Sequence, residues 1–325
     1  ERPGGRVARD WTHGAQAGRY AGPRRPWLPL IRVILPCFNA VEFWPCALHS
    51  LHAQTFRDFE IIIVDDGSSD PATIAYLDAL PDDIRLLRQK NRGLPGARNA
   101  GIEAAQGRYV VPLDCDDWLA PEFLDKTLAA LLANPEAGFA FAHLALEGEA
   151  SGALAKNYNF FEQLFVNQLP YCIMFRRDLW AAAGGYDETM RQGYEGWEFN
   201  IRLGGGGHYG VVVAAPLFHY RVSAKGMLKS ISSARHGQLW HDIQRRNAAC
   251  YRLPALFGCW PRWRRSPSTY PLVFYFGLLA LHKLLSPPLF NALFRRILDT
   301  VSPARPAPRP SHSSGLPHSS PATTV

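Results

Sequence analysis

The chain has no CxxC pair, no apolar run long enough to cross a bilayer, and almost no acid in its last third. Its six cysteines (Cys37, Cys46, Cys115, Cys172, Cys250, Cys259) are scattered, so neither a zinc site nor a disulfide framework is indicated. That pattern suits a reducing compartment, and a cytoplasmic location is expected. The most apolar stretch, residues 271–281, is broken by His282-Lys283. It falls short of the ~20 residues that a spanning helix needs. Residues 1–27 lack the apolar centre of a secretory signal and are rich in Arg, Gly and Pro. They are expected to form a disordered basic arm, and the Pro- and Ser-rich residues 302–325 a disordered tail.

The shortage of acid makes the charge lopsided. Residues 221–300 carry 13 Lys and Arg against only Asp242 and Asp299, within a formal net charge of +7. A basic C-terminal third points to a partner with phosphates: a nucleotide, anionic lipid headgroups or nucleic acid. The plainer reading is a solvated basic surface. Charge is the only support for nucleic acid, which is not an expected partner.

Between the two arms, strand and helix alternate. Ile31–Leu35, Phe59–Val64, Ile84–Leu87 and Tyr109–Leu113 are short apolar runs, with helical stretches at Ala47–Gln54 and Gly96–Ala105. Such alternation predicts an α/β domain with a mostly parallel sheet covered on both faces. Ligands in that architecture sit beyond the carboxyl ends of the strands. Three polar clusters fall there: Pro36-Cys37-Phe38-Asn39, Asp65-Asp66-Gly67-Ser68-Ser69-Asp70 and Asp114-Cys115-Asp116-Asp117.

Asp114, Asp116 and Asp117 crowd three carboxylates into four residues, which would raise one another's pKa unless a cation joined them. Mg²⁺ or Mn²⁺ is the expected cofactor, bridging to a diphosphate; the alternative is an acidic turn before a capped helix. Arg98 lies near a helix start, where a phosphate is favoured. Asp66 is either a nucleotide contact or a turn residue before Gly67.

The segments IRVILPCFNA, FEIIIVDDGSSD, NRGLPGARNAGIEAAQGRYVVPLDCDD and AAAGGYDE resemble the successive motifs of the family 2 glycosyltransferases of the GT-A fold. They stand in family order over about residues 30–225. The resemblance implies an inverting hexosyl transfer from a nucleoside-diphosphate sugar, a UDP-sugar in the first instance, to a hydroxyl of a carbohydrate or lipid-linked acceptor in cell-surface glycan synthesis. By it, Pro36 and Phe38 line the base pocket, Asp66 reads the base or ribose, and Arg98 holds the nucleotide. Asp114-Cys115-Asp116 is the DxD motif, with Asp114 on the ribose side and Asp116 toward the metal. Asp117 and His219 are further candidate metal ligands, although His219 also reads as a packed strand histidine. Arg221 is assigned to the leaving diphosphate.

The catalytic base departs from the family pattern, which places an Asp where this chain has Gly196. Glu195 is the preferred substitute and Glu198 the second, three residues apart on one helix face. Glu198 also has Arg202 four residues on, as a surface ion pair would. A catalytically impaired donor binder is the alternative. Residues 205–210 match GxGxxG, but they follow a helix and precede the strand Gly210–Ala214, the wrong context for a dinucleotide fingerprint. Trp180 and Trp197 are read as sugar-stacking or core residues.

The expected organisation is therefore a GT-A-like domain over 28–230 and a helical extension over 231–301. In the extension, the run 271–281, the helical spacing of Leu289, Phe290, Leu293, Phe294, Ile297 and Leu298, and Arg262, Arg264 and Arg265 suggest an interfacial anchor on an anionic membrane. A helical hairpin packed on the domain or on a second subunit is the equal alternative.

Overall fold

The computed structural model describes residues 29–223, 232–263 and 270–301. The expected arms at 1–27 and 302–325 lie outside the described residues, as do Arg264 and Arg265.

The first half follows the alternation of the sequence. β1 (Ile31–Cys37), β2 (Phe59–Asp65), β3 (Ile84–Arg88) and β4 (Tyr109–Pro112) alternate with α1 (Trp44–His52), α2 (Pro71–Asp78) and α3 (Gly93–Ala104). β1 pairs in parallel with both β2 and β4, and β2 with β3. β1 and β4 are buried along their whole length, as strands between two helical layers are; Arg32, the one charged residue in either, pairs with Glu60. Gly101 lets α3 approach β1 closely: a Cβ there would lie 2.4 Å from Ile34 Cγ2.

The second half makes the sheet mixed. β5 (Trp118–Leu119), α4 (Phe123–Ala133), β6 (Ala137–Gly148), β7 (Gly152–Leu154), α5 (Phe160–Gln163), β8 (Met174–Arg176), α6 (Arg177–Ala183), α7 (Glu195–Gly205) and β9 (Tyr209–Val222) follow. The strand order is β3-β2-β1-β4-β8-β6-β9-β5, with β7 beside β6. β8 runs antiparallel to β4 and β6, while β6 and β9 are parallel. The expected strand 210–214 is the start of the much longer β9, which carries His219 and Arg221 to the strand ends. Gly204 and Gly205 still belong to α7, and only the residues after them form the turn.

One sheet face packs on α1, α2 and α4 through residues such as Trp44, Leu77 and Phe123. The other packs on α3, α6 and α7 through Ile102, Leu179 and Phe199. α7 has a second apolar side, Trp197 and Ile201, which joins a third core with α8 (His236–Arg246), α9 (Leu253–Trp263), α10 (Leu272–Leu284) and α11 (Pro287–Val301). Trp197 is a core residue there, its Nε1 donating to the Gln163 carbonyl. Phe290 and Phe294 of α11 turn inward and stack on His236. Of the apolar residues spaced along α11, Phe290 and Phe294 are thus packed inside and Leu289 is exposed. No helix among the described residues is long and apolar enough to cross a membrane.

Candidate active site

The three polar clusters meet at the carboxyl ends of β1, β2 and β4. Asn39 adopts a left-handed conformation (φ 49°) after β1. Its Oδ1 accepts from the amides of Ser69 and Asp70, which ties the first cluster to the second. Such a backbone conformation is tolerated by Asn because its short amide bonds locally. Phe38 beside it is half exposed at the rim, whereas Pro36 is buried within β1.

Asp66 is almost fully buried, and its carboxylate accepts from Gln89 Nε2 (2.7 Å) and the amides of Arg92 and Gly93 (2.8 Å each). It thereby closes the start of α3, whose first amides have no partner within the helix. A carboxylate offers roughly four acceptor positions, so about one stays open to a nucleoside N–H or hydroxyl.

Arg98, on α3, is at the centre. Its Nη2 donates to both oxygens of Asp114 (2.8 and 3.0 Å), and its Nη1 donates to Glu195 Oε1 at 2.7 Å. Its guanidinium also lies 5.0 Å from the Tyr171 ring and 5.6 Å from the Tyr186 ring. Burial acts to lower its pKa, but the two carboxylates outweigh that and hold it firmly charged.

Tyr171, unmarked by any sequence motif, links the acidic cluster. It accepts from the Asp114 amide (3.0 Å) and donates to Asp117 Oδ2 (2.6 Å). Burial and the surrounding carboxylates push its phenol well up, so it remains a donor. Asp117 Oδ1 accepts from the Arg221 amide at 2.7 Å, and the side chain is 1% exposed. Both its oxygens are therefore engaged in holding β9 against the loop. Burial and Asp116 raise its pKa well above the usual carboxylate range.

Asp116 differs from both neighbours. Its carboxylate receives no hydrogen bond from another residue among those described, and burial, then Asp114, push its pKa up to about 6. Arg221 donates from Nε to the Asp116 carbonyl and sits between Phe43 and Trp118, 5.4 and 5.1 Å from their rings. Its two Nη groups have no acceptor among the described residues.

These donors fit a cation only in one way. Among the described residues, no three His, Cys, Asp or Glu side chains are arranged to hold a metal ion. His219 stacks on Trp118 at 5.3 Å and meets Glu147 at 3.1 Å, so it forms no such cluster with Asp116 and Asp117. A single under-partnered carboxylate suits an ion that keeps waters and takes substrate phosphates as further ligands, as Mg²⁺ does.

On the opposite wall, Gly193 (φ 100°) and Tyr194 (φ 66°) turn the chain sharply into α7. Glu195 follows immediately, paired to Arg98 through Oε1 and with Oε2 unengaged among the described residues. Glu198 is 2% exposed and is gripped by Arg202 Nε and Nη2 and by Asn247 Nδ2. A Cβ at Gly196 would meet only Tyr171 Cβ, at 3.7 Å, so the place of the missing carboxylate is open. Trp180 donates from Nε1 to Asn99 and packs at the edge of the second core.

Residues 32–181 match the Glycosyl transferase family 2 model. The uncharacterized glycosyltransferase YibD of Escherichia coli (strain K12) is 40% identical over 105 residues, covering 31% of this chain and 30% of that protein. The succinoglycan biosynthesis protein ExoO of Rhizobium meliloti (strain 1021) is 39% identical over 103 residues, covering 31% and 29%. The chain spans less than half the length of the curated relatives it matches. Among solved structures, S. aureus TarS 1-349 in complex with UDP-GlcNAc superposes with a TM-score of 0.55 at 18% identity, covering 67% of this chain and 65% of that one. The mannosyltransferase PcManGT from Pyrobaculum calidifontis, in complex with GDP-Man and Mn²⁺, superposes at 0.53 and 18% identity, covering 85% and 81%. At such identity the likeness is one of fold, the GT-A arrangement.

Proposed function

We propose, from the match of residues 32–181 to the Glycosyl transferase family 2 model, that the chain transfers a hexose from a nucleoside-diphosphate sugar to a hydroxyl acceptor during polysaccharide synthesis. The observation that carries the reading is Arg98, which ties the donor-side Asp114 to Glu195 through one buried guanidinium. One side chain thus sets the distance between the nucleotide wall and the acceptor wall, the positioning that displacement at an anomeric carbon requires.

On the donor wall, Phe38 offers its exposed ring to the base and Asp66 its remaining acceptor position to the nucleoside. Arg221 presents its two Nη groups to the diphosphate. Asp116 would hold Mn²⁺ or Mg²⁺, which when bound neutralises the charge that develops on the leaving nucleoside diphosphate. On the acceptor wall, Glu195 Oε2 takes the proton of the attacking hydroxyl while Oε1 stays on Arg98. UDP-GlcNAc in TarS and GDP-Man in PcManGT make both nucleotides worth testing, and UDP-sugars are proposed first.

Calorimetric titration with UDP and GDP, with and without Mn²⁺, tests donor binding, and release of nucleoside diphosphate from a sugar-nucleotide panel tests turnover. Absence of any metal-dependent nucleotide binding would sink the proposal. A second reading, a donor binder with little turnover, is favoured by Gly196 standing in the base position; binding without product release would select it.

A further inference from the structure

α10 is apolar on every side from Leu272 to Leu281, before His282-Lys283 in its last turn. Tyr275, Leu278 and Leu279 are buried in the third core. At about 100° per residue, Val273, Phe276, Gly277, Ala280 and Leu284 form one stripe on the opposite side. Val273 is 75% exposed and Leu284 80%. The neighbouring helices extend the stripe: Phe257 of α9, itself half exposed, stacks on Phe276 at 5.7 Å. Leu289, 62% exposed, opens α11 just beyond the end of α10.

Single exposed apolar residues are ordinary, but a contiguous stripe marks a surface that something covers. A helix that is apolar all round belongs inside a core or in lipid. With 13 residues, α10 is about 20 Å long and cannot cross a hydrocarbon layer of about 30 Å. It can lie along one.

Charge identifies the covering surface. From Ile243 to Leu298 the chain has no Asp or Glu, against nine Lys and Arg. Lys283, two turns after Phe276, and Arg296, two turns after Leu289, are exposed and lie on the sides of α10 and α11 that carry the stripe. A second copy seated on the same face would bring like charges together, since a two-fold contact repeats one patch on both subunits. An anionic headgroup layer meets the same cations favourably.

We propose that this face of the helical extension rests on an anionic phospholipid surface, with Val273, Ala280, Leu284 and Leu289 at the acyl boundary and the cations among the headgroups. The contact differs from the anchor that sequence spacing suggests, because Phe290 and Phe294 of α11 are packed inside the protein while Leu289 and the outer stripe of α10 are exposed. It would hold the transfer site beside a lipid-linked acceptor without a spanning helix.

The test is flotation of the full chain with phosphatidylglycerol/phosphatidylcholine vesicles and with phosphatidylcholine alone, at low and high salt. The expected result is binding to the anionic vesicles only, weakened by salt. The double variant Val273→Asp/Leu284→Asp should reduce the bound fraction at least about tenfold while keeping the wild-type melting temperature. Both side chains are exposed, so folding does not depend on them. Wild-type-like flotation of the double variant overturns the proposal, as does failure of the wild type to bind anionic vesicles. A dimer in solution that the double variant dissolves also overturns it and assigns the face to a second copy. Flotation reads neither nucleotide binding nor turnover, so this outcome is separable from that of the transferase assignment.

Discussion

Arg98 and Glu195 lie 97 positions apart in the chain and share a buried hydrogen bond of 2.7 Å. The same guanidinium holds Asp114, so helix α3 joins the two walls of the cleft through one side chain. Removing it would strand two carboxylates in surroundings poor in water.

Arg98→Met is expected to lower stability by about 3–5 kcal/mol, the usual consequence of breaking a buried pair from one side. Arg98→Lys keeps the charge but cannot reach both partners, and should fold while losing at least about tenfold in turnover. Thermal melts and donor hydrolysis on the two variants check this; a fully active Lys variant would contradict the bridging role.

Asp116 makes the site pH-dependent in two opposite senses. Its folded pKa, about 6, lies above the ordinary carboxylate value of 3.8. The folded protein therefore holds this proton more tightly than the unfolded chain does. The resulting stabilisation is present at low pH and is lost as pH rises from about 4 to about 6. Cation-dependent UDP binding should do the reverse, strengthening as pH rises through about 6. Melts and titrations in that window should show both slopes, and Asp116→Asn should remove both. A binding curve flat from pH 5 to 7 would argue against Asp116 as the cation ligand.

Glu195→Gln is expected to leave UDP affinity nearly unchanged and to cut turnover by about 10²–10⁴-fold, since the amide still accepts from Arg98 but takes no proton. Gly196→Asp should fold well, because the added Cβ meets only Tyr171 at ordinary contact distance. Glycine in a helix costs up to about 1 kcal/mol relative to Ala, so this variant should melt at the same temperature or slightly higher. Steady-state rates of the two single variants decide which carboxyl position serves. If Glu195→Gln changes nothing while Gly196→Asp creates activity, the natural chain is a donor binder.

Tyr194 precedes Glu195 in a left-handed conformation and bonds through its hydroxyl to His236 Nδ1 at 2.9 Å. Backbone of this kind costs about 1–3 kcal/mol and persists only where neighbours hold it. Tyr194→Phe is therefore expected to lower stability by about 1 kcal/mol and to reduce kcat with KM for the donor unchanged. A change in donor KM alone, with kcat intact, would show that α8 does not position this wall.

Much of the site's composition was legible from local pattern. Apolar runs ending in Asp65-Asp66 and Asp114-Cys115-Asp116-Asp117 placed acid at strand ends, and the parallel strands brought those ends together. The crowding expected to raise carboxylate pKa values is seen at Asp116 and Asp117, with burial as the larger cause. Tyr171 carried no local signal, because it acts on Asp114 and Asp117 from more than fifty positions away. β6 was equally silent, since its alanine-rich run AGFAFAHLALEG reads as readily helical as extended.

The sequence by itself determined the alternation of strands and helices, the order of the polar clusters and the absence of a carboxylate at position 196. These are properties of neighbouring residues, set by side-chain period, turn chemistry and charge. Tertiary structure alone decided which acid is engaged and which is open. Asp114, Asp116 and Asp117 are chemically alike in the chain, and only Arg98, Tyr171 and Arg221, arriving from α3, the segment before β8, and β9, make them different. The same holds for the two apolar helices at the C-terminal end. The apolar run of α10 and the apolar spacing of α11 mark both as surface-seeking, but packing on His236 buries Phe290 and Phe294 of α11 and leaves the outer stripe of α10 exposed.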